Sequence, residues 1–375
     1  MANGLSPEEM LRYSRHLLIP GVGVDGQVRL KNASVLLIGS GGLGSPAALY
    51  LAAAGVGRLG LVDPDVVDAS NLQRQILHGE SWLGKPKLES AVARLREVNP
   101  HVTVEPYPVR FTPGNALEIA KDYDILLDGS DNFPTRFLTN DAAFFLRKPL
   151  VYGAIHRFDG QVAVFAPHLG GPCYRCLLPN MPPPGAVPSC SEAGVLGVLP
   201  GIIGSLQAME VIKLILGLGK IPLGQLTVYD ALNSGFRMLT LRRDPACRLC
   251  GGQPQIHQIS NPETTASTLC TLTSNTMESI TDTELHAVLT ENYQGLLIDV
   301  REPNEHALAN IPQARLIPLA SLPGHLDSLP RDREILIHCK AGGRSAKAVS
   351  FLLDNGFTRV KNVSGGMDAW LELGL

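Results

Sequence analysis

The chain has 375 residues, of which 45% are apolar and 18% charged. That composition excludes a disordered chain and allows two or three domains, each with its own core. A formal net charge of -3 offers no hold on nucleic acid or an anionic membrane, so neither is expected as a partner. Seven cysteines behind an N-terminus without the pattern of a secretory signal suit a reducing cytoplasm, where thiols bind metal or do chemistry.

In chain order, Ser6-Pro7-Glu8-Glu9 is a capping box with proline at the first helical position, and it predicts a helix over 10–18. Arg12 and Arg15 then share one face, either as surface charges or as contacts to phosphates, those of a neighbouring subunit included. From 33 to 155, short β-rich runs (SVLLIG, LGLVD, VTVEPY, YDILLD, PLVYGAI) alternate with helical spacing over 43–54, 87–98, 113–120 and 134–146. The pattern predicts an α/β fold with a doubly wound, mostly parallel, Rossmann-like sheet. RFDGQVAVFAPH reads as a hairpin and NMPPPGAVPSC, 180–190, as an irregular loop. The apolar run 193–209 is broken by Pro200 and Gln207 and followed by Glu210 and Lys213. It reads as the start of a buried core helix over 202–216, not a membrane span. A β-rich stretch over 225–242 completes a first domain, 1–252. The polar, Thr- and Ser-rich segment 253–279 reads as a flexible linker. A second, smaller α/β domain follows over 280–375, from the helix TDTELHAVLT through the strands GLLIDV and EILIHC, the helix SAKAVSFLLDN and the strand VKNVS.

Gly39-Ser-Gly-Gly-Leu-Gly44 fits G-x-G-x-x-G between a strand and a helix. Gly39, Gly41, Gly42 and Gly44 let the backbone approach a phosphate at a helix N-terminus. Asp63 ends the next strand, where an acid holds ribose hydroxyls. This much also suits NAD. A dehydrogenase, however, has no need for Arg74, Gln75 and Lys87, whereas a triphosphate needs cations as charge builds on the leaving pyrophosphate. Asp131, at the carboxyl end of a strand, is a natural Mg²⁺ ligand beside polyphosphate.

Taken together, RYSRHL, GSGGLGS, DxDxVDxSNLQRQ, GxPK and LDGSDN resemble the ubiquitin-activating-like adenylyltransferases that serve molybdopterin synthase and the thiamine sulfur carrier, over roughly residues 5–252. The resemblance implies that Asp63 binds ribose, that Asn71, Arg74, Gln75 and Lys87 surround the phosphates of ATP, and that Asp131 holds Mg²⁺. It also implies a homodimer in which Arg15 reaches the partner's ATP. The substrate would be the C-terminal Gly-Gly carboxylate of a small ubiquitin-like carrier protein, in a molybdopterin, thiamine, cysteine or tRNA-thiolation pathway.

Cys173-x-x-Cys176 and Cys247-x-x-Cys250 are two knuckles of the kind that meet in tetrathiolate Zn²⁺ sites. Two pairs in one domain favour zinc over a redox pair, and the family resemblance agrees. Four thiolates leave no open position, so the site would be structural. Cys190 ends the Pro-rich loop; it is either incidental or, as in similar proteins, a thiol that attacks the activated carboxylate or an acyl-disulfide. Cys270, in the linker, has no expected role.

Cys339 follows the strand EILIH and precedes a helix beginning near Ser345. Its loop, with two glycines and Arg344, suits an anionic thiolate or persulfide and a catalytic role. Four residues separate Cys339 from Arg344, the ring size that resembles rhodanese sulfurtransferases rather than cysteine phosphatases. IDVREPNEH and NVSGGMDAW resemble the same family, whereas 309–314, ANIPQA, departs from its Gly-His-Ile-Pro-Gly-Ala. Asp299 and Arg301 read as structural. The joint expectation is ATP-dependent adenylation of the carrier followed by sulfur transfer from Cys339 to give a thiocarboxylate, with a cysteine desulfurase or thiosulfate as sulfur donor. The alternatives are an NAD-dependent oxidoreductase with a thiol domain and a zinc-stabilised adaptor that binds carriers without activating them.

Overall fold

A computed structural model describes residues 4–182, 194–260, 278–291 and 293–374. Cys190 and Cys270, and most of the segment read as a linker, lie outside the described residues. The described residues gather into two compact units, one holding 4–182 and 194–260 and the other 278–374.

The first unit is built on an eight-stranded sheet, β1 (Ser34–Ile38), β2 (Arg58–Val62), β3 (Thr103–Tyr107), β4 (Ile125–Asp128), β5 (Leu150–His156), β6 (Asp159–Phe165), β7 (Gln225–Asp230) and β8 (Gly235–Thr240), in the order β3-β2-β1-β4-β5-β6-β7-β8. The first five are parallel and the last three antiparallel. The central parallel strands β1 and β4 are buried along their whole length because both faces are covered, whereas the edge strand β3, TVEPY, is partly exposed. Within β1, Val35 and Leu37 enter one core, and Leu36 and Ile38 enter the other, as the two-residue period requires. The segment 157–168, read as a whole hairpin, supplies only the turn and the second arm, β6; the first arm is β5.

The helix Gly44–Ala54 starts directly behind the glycine loop and buries Ala47, Ala48, Leu51 and Ala52. Its small side chains admit the long helix Val198–Leu216, which comes so close that a Cβ on Gly204 would stand 2.4 Å from Leu43 O. That helix is long and apolar enough to cross a membrane by length and composition. Here it is bolted to the sheet, with Gln207 Nε2 donating to Asp128 O at 2.8 Å and Val151 O at 3.3 Å.

The N-terminal helix departs from expectation. It runs Pro7–Arg12, breaks at Tyr13, and resumes as the single turn Ser14–Leu17. The capping box is present as read. The break follows from burial of Tyr13, which is 3% exposed and whose hydroxyl accepts from Asn99 Nδ2 at 2.7 Å. Arg12 does not stand ready for phosphate: its guanidinium donates to Val98 O at 2.9 Å, capping the end of the helix Lys87–Val98.

In the second unit β9 (Glu278–Ile280), β10 (Leu296–Asp299), β11 (Arg315–Leu316), β12 (Ile335–His338) and β13 (Val360–Val363) form an all-parallel sheet ordered β11-β10-β12-β13-β9. Helices Asp282–Thr290, Pro303–Leu308, Gly343–Asp354 and Gly366–Glu372 accompany it. The helix after Cys339 begins two residues earlier than expected. Strands β9 and β11 and the helices Pro303–Leu308 and Gly366–Glu372 add to what the pattern predicted.

Candidate functional site

The glycine loop, the ends of β2 and β4 and the start of the helix Lys87–Val98 enclose a cleft of about 310 Å³ at the carboxyl edge of the parallel strands. Gly39 has φ +96°, and a Cβ on Gly44 would stand 2.0 Å from Gly39 O. The first glycine makes the turn, and the last lets strand and helix touch. Gly39, Gly41 and Gly42 line the cleft, whereas Gly44 lies behind it.

Asp63 is 6% exposed. Its Oδ2 accepts from Ser40 N at 2.9 Å and Ser40 Oγ at 2.8 Å, so it pins the loop. His78 supports Ser40 from behind: Nε2 donates to Ser40 O at 3.2 Å, leaving Nδ1 to accept from Ser90 Oγ at 3.1 Å. Burial holds this imidazole below its usual range and therefore neutral. Lys87 Nζ stands 3.0 Å from Asp65 Oδ2 and 3.9 Å from Asp63 Oδ1. Arg74 and Gln75 line the cleft beside Gly42 and Gly41, and Gln75 Oε1 is buried without a hydrogen-bond partner among the described residues. Such an orphan on a cleft wall suits a ligand that brings a donor. Asp131 is exposed at the rim. The structure thus brings together Gly39, Gly41, Gly42, Asp63, Arg74, Gln75, Lys87 and Asp131. Asn71 is not in the wall; its carbonyl accepts from Arg74 N and Gln75 N and so shapes the turn that carries them. Arg15 is exposed on the turn Ser14–Leu17, away from the lining.

Sequence reasoning missed Arg136. It lies in the first turn of the helix Phe133–Phe145, where the helix dipole disfavours a cation, and that mismatch was the available signal. It is held by Asp128, Nε to Oδ2 at 3.8 Å, and its guanidinium donates to Ser130 O at 3.2 Å. Burial raises the Asp128 carboxyl, against the pull of Arg136. Arg136, Asp131 and Ile155 also border an adjoining groove of about 350 Å³, walled by Tyr152, Tyr174 and Gln161. The cleft therefore opens into a second chamber with a cation at the junction.

Cys173, Cys176, Cys247 and Cys250 converge, all four Sγ atoms lying within 4.8 Å of one another. Neighbouring pairs stand 3.4, 3.6 and 3.9 Å apart. Thiolates about 2.3 Å from one zinc ion lie about 3.8 Å from each other, so this donor set fits a tetrahedral metal ion. Asp244 N donates to Cys176 Sγ at 3.4 Å, the kind of outer contact that steadies a metal-ligand sulfur.

In the second unit Cys339 directly follows β12, 1% exposed, and Ser345 Oγ donates to its Sγ at 3.4 Å. The loop is braced from behind by Met367 N to Cys339 O at 2.8 Å and Asp368 N to Lys340 O at 2.9 Å. Gly342 has φ +85°, and a Cβ there would meet Ser364 O at 2.1 Å. Arg344 forms a two-pronged pair with Glu305, both N···O distances 2.6 Å. Asp299 and Arg301 form a buried fork that also engages His306. Burial works against the Asp299 carboxylate, but its hydrogen bonds from Arg301 and His306 hold it down at about 2. Burial presses His338 down to about 4.

The ThiF family model matches residues 13–249 and the rhodanese-like domain model matches 281–373. The Mycobacterium tuberculosis protein described as "Probable adenylyltransferase/sulfurtransferase MoeZ" is 46% identical over 378 residues, covering 99% of this chain and 95% of that protein. The sulfur carrier protein adenylyltransferase of Thermus thermophilus is 56% identical over 260 residues, 68% of this chain and 96% of its own length. The adenylyltransferase and sulfurtransferase MOCS3 of Arabidopsis thaliana is 39% identical over 395 residues, 99% of this chain and 85% of its own length. The crystal structure of E. coli MccB with MccA-N7isoASN matches at a TM-score of 0.57 and 23% identity, over 64% of this chain and 75% of that one, which speaks to the fold. The chain belongs to this adenylyltransferase/sulfurtransferase family: it is an enzyme that joins a ThiF-family unit to a rhodanese-like one.

Proposed function

We propose that the first unit adenylates the C-terminal Gly-Gly carboxylate of a small ubiquitin-like sulfur-carrier protein, and that the second delivers the sulfur that turns it into a thiocarboxylate. The observation that carries this reading is the cleft itself: a pinned glycine loop, a ribose-side acid and two cations meet at one sheet edge, beside a chamber able to admit a chain terminus. ATP lies with its ribose at Asp63 and its phosphates between the glycine loop, Arg74, Gln75 and Lys87. The carboxylate enters through the adjoining groove past Arg136 and attacks the α-phosphorus. The bond to pyrophosphate breaks, and Arg74 and Lys87 stabilise the charge it takes away. Asp131 would hold Mg²⁺, which neutralises polyphosphate charge when bound. Arg15 would reach the neighbouring subunit's ATP in a homodimer, and Asn71 would orient the phosphate-side turn.

The acyl-adenylate carbon is electrophilic because AMP is a good leaving group. The terminal sulfur of a Cys339 persulfide attacks it, AMP departs, and an acyl-disulfide forms. A second thiolate, assigned to Cys190, attacks the Cys339 sulfur; the thiocarboxylate leaves with the electron pair and a Cys190–Cys339 disulfide remains. Zn²⁺ at Cys173, Cys176, Cys247 and Cys250 would be structural, since four thiolates complete its shell. The division into 1–252, a linker over 253–279 and 280–375, and a reducing cytoplasmic setting, belong to the same reading. Family membership leaves no place for the oxidoreductase or the passive adaptor.

Exchange of labelled pyrophosphate into ATP should depend on a Gly-Gly-ended carrier, and carrier-independent exchange would sink the first half. Cys339→Ala should keep exchange and abolish thiocarboxylate formation by mass spectrometry; retained transfer would sink the second.

A further inference from the structure

Arg344 is the cation of the Cys339 loop, set in the first turn of the helix Gly343–Asp354. Its guanidinium grips both oxygens of Glu305 at 2.6 Å, with the two side chains 11% and 22% exposed. Bidentate pairs of this geometry are among the stronger charge-assisted contacts. Burial resists ionisation of Glu305, yet the hydrogen bonds from Arg344 hold its carboxyl below the usual range, so the pair is ionised at neutral pH. The other charges near the thiol cancel in the same way. Arg301 is closed on Asp299, and His338 is neutral at pH 7.

We infer that Glu305 sets the donor preference of the sulfurtransferase unit: by neutralising Arg344 it denies small dianions the positive field that would draw them to Cys339. This rests on the reading that Cys339 carries the sulfur. Loading is an exchange in which the Cys339 thiolate attacks the donor's sulfane sulfur, a new S–S bond forms, and the donor's own bond to that sulfur breaks. The electron pair leaves with sulfite when thiosulfate is the donor, and with methanesulfinate when it is methanethiosulfonate. The two donors deliver the same atom and differ by one negative charge. The bound state with the dianion therefore gains most when Arg344 is unmasked.

The test is kcat/KM for both donors in the full chain, with cyanide as acceptor. Glu305→Gln keeps an acceptor for Arg344 and removes the opposing charge. It should raise the thiosulfate-to-methanethiosulfonate ratio about tenfold, the effect of one unit charge acting over about 8 Å at an effective dielectric of about 30. Arg344→Gln leaves Glu305 facing the loop and should lower the ratio, so it decides the matter even if the first variant does not fold. Equal falls with both donors, or a ratio that does not move, would overturn the inference and make the pair purely structural. Intact-mass detection of sulfur on Cys339 separates the two levels. If sulfur loads but the ratio is unmoved, only the role of Glu305 fails; if no donor loads Cys339, the sulfur-carrying reading fails.

Discussion

Replacing Lys87 by methionine keeps the aliphatic stem and removes the charge, and the structure separates what this should do to stability from what it should do to turnover. The Lys87 side chain is 7% exposed, but its nearer partner, Asp65, is 60% exposed and rehydrates readily once alone. Asp63 keeps its contacts from Ser40 N and Ser40 Oγ. The lost pair is therefore closer to a surface bridge than to a sealed one, and the stability loss should be about 1 kcal/mol. In a unit of this size that is about 2–4 °C in Tm. Turnover should suffer far more. Lys87 heads the helix Lys87–Val98 and is held by two acids against that helix's own dipole, a preorganised cation beside the phosphate loop. Losing one such group from a developing charge costs about a hundred- to a thousand-fold in rate. The assay is carrier-dependent pyrophosphate exchange into ATP, with Tm measured on the same sample. Exchange within about fivefold of the parent would refute the placement of Lys87 at the phosphates. A Tm loss beyond about 10 °C would show that its role is chiefly to hold Asp63.

Two further outcomes follow from the geometry. Cys247→Ser should lower the zinc content of the purified chain, by elemental analysis, and should loosen the neighbouring Phe144 and Phe145 packing; unchanged metal content would refute the four-thiol site. The second unit should weaken in mild acid. His338 takes its proton only near about 4 when folded, against 6.5 in the unfolded chain. Its contribution is therefore complete above about pH 6.5 and declines as pH falls to about 4, by on the order of 3 kcal/mol. Asp299, at about 2 when folded against 3.8, stabilises above about pH 3.8 and loses its contribution only below that. Hydrogen exchange of the β10 and β12 amides reads the first window directly. His338→Gln should flatten the slope, and an unaltered slope would discard this account.

What could be read from sequence was what local chemistry decides. The glycine loop, β1 and β2 and the helix Lys87–Val98 appear where strand period, glycine placement and helical spacing put them. What could not be read depends on partners far along the chain. Tyr13 breaks the first helix because Asn99, 86 residues on, donates to its buried hydroxyl. Glu278–Ile280 is a strand because β13 lies beside it, and polar residues at a sheet edge carry no periodic signal of their own. Arg136 went unnoticed because a lone arginine in a helix looks like surface charge until Asp128 and the junction of two chambers surround it.

Two residues that the motifs did flag do more than the motifs suggest, and for the same reason. Asp63 reads as a ribose ligand, yet one of its oxygens is already committed to Ser40. The acid that would orient the sugar also fixes the loop that would hold the phosphates, so any change at Asp63 moves both ends of the nucleotide. Arg344 reads as an anion receptor beside a thiol, yet its guanidinium is turned onto Glu305, 39 residues earlier in IDVREPNEH. A motif names the residue types a chemistry needs; only the fold says which of their hydrogen bonds are still free to do it. At Asp63 the other oxygen, Oδ1, accepts from Asp65 N at 3.0 Å and lies 3.9 Å from Lys87 Nζ, and its second lone pair is what a ribose hydroxyl would use. At Arg344 both prongs are engaged, which moves the choice of sulfur donor from the loop itself to the helix Pro303–Leu308 that carries Glu305.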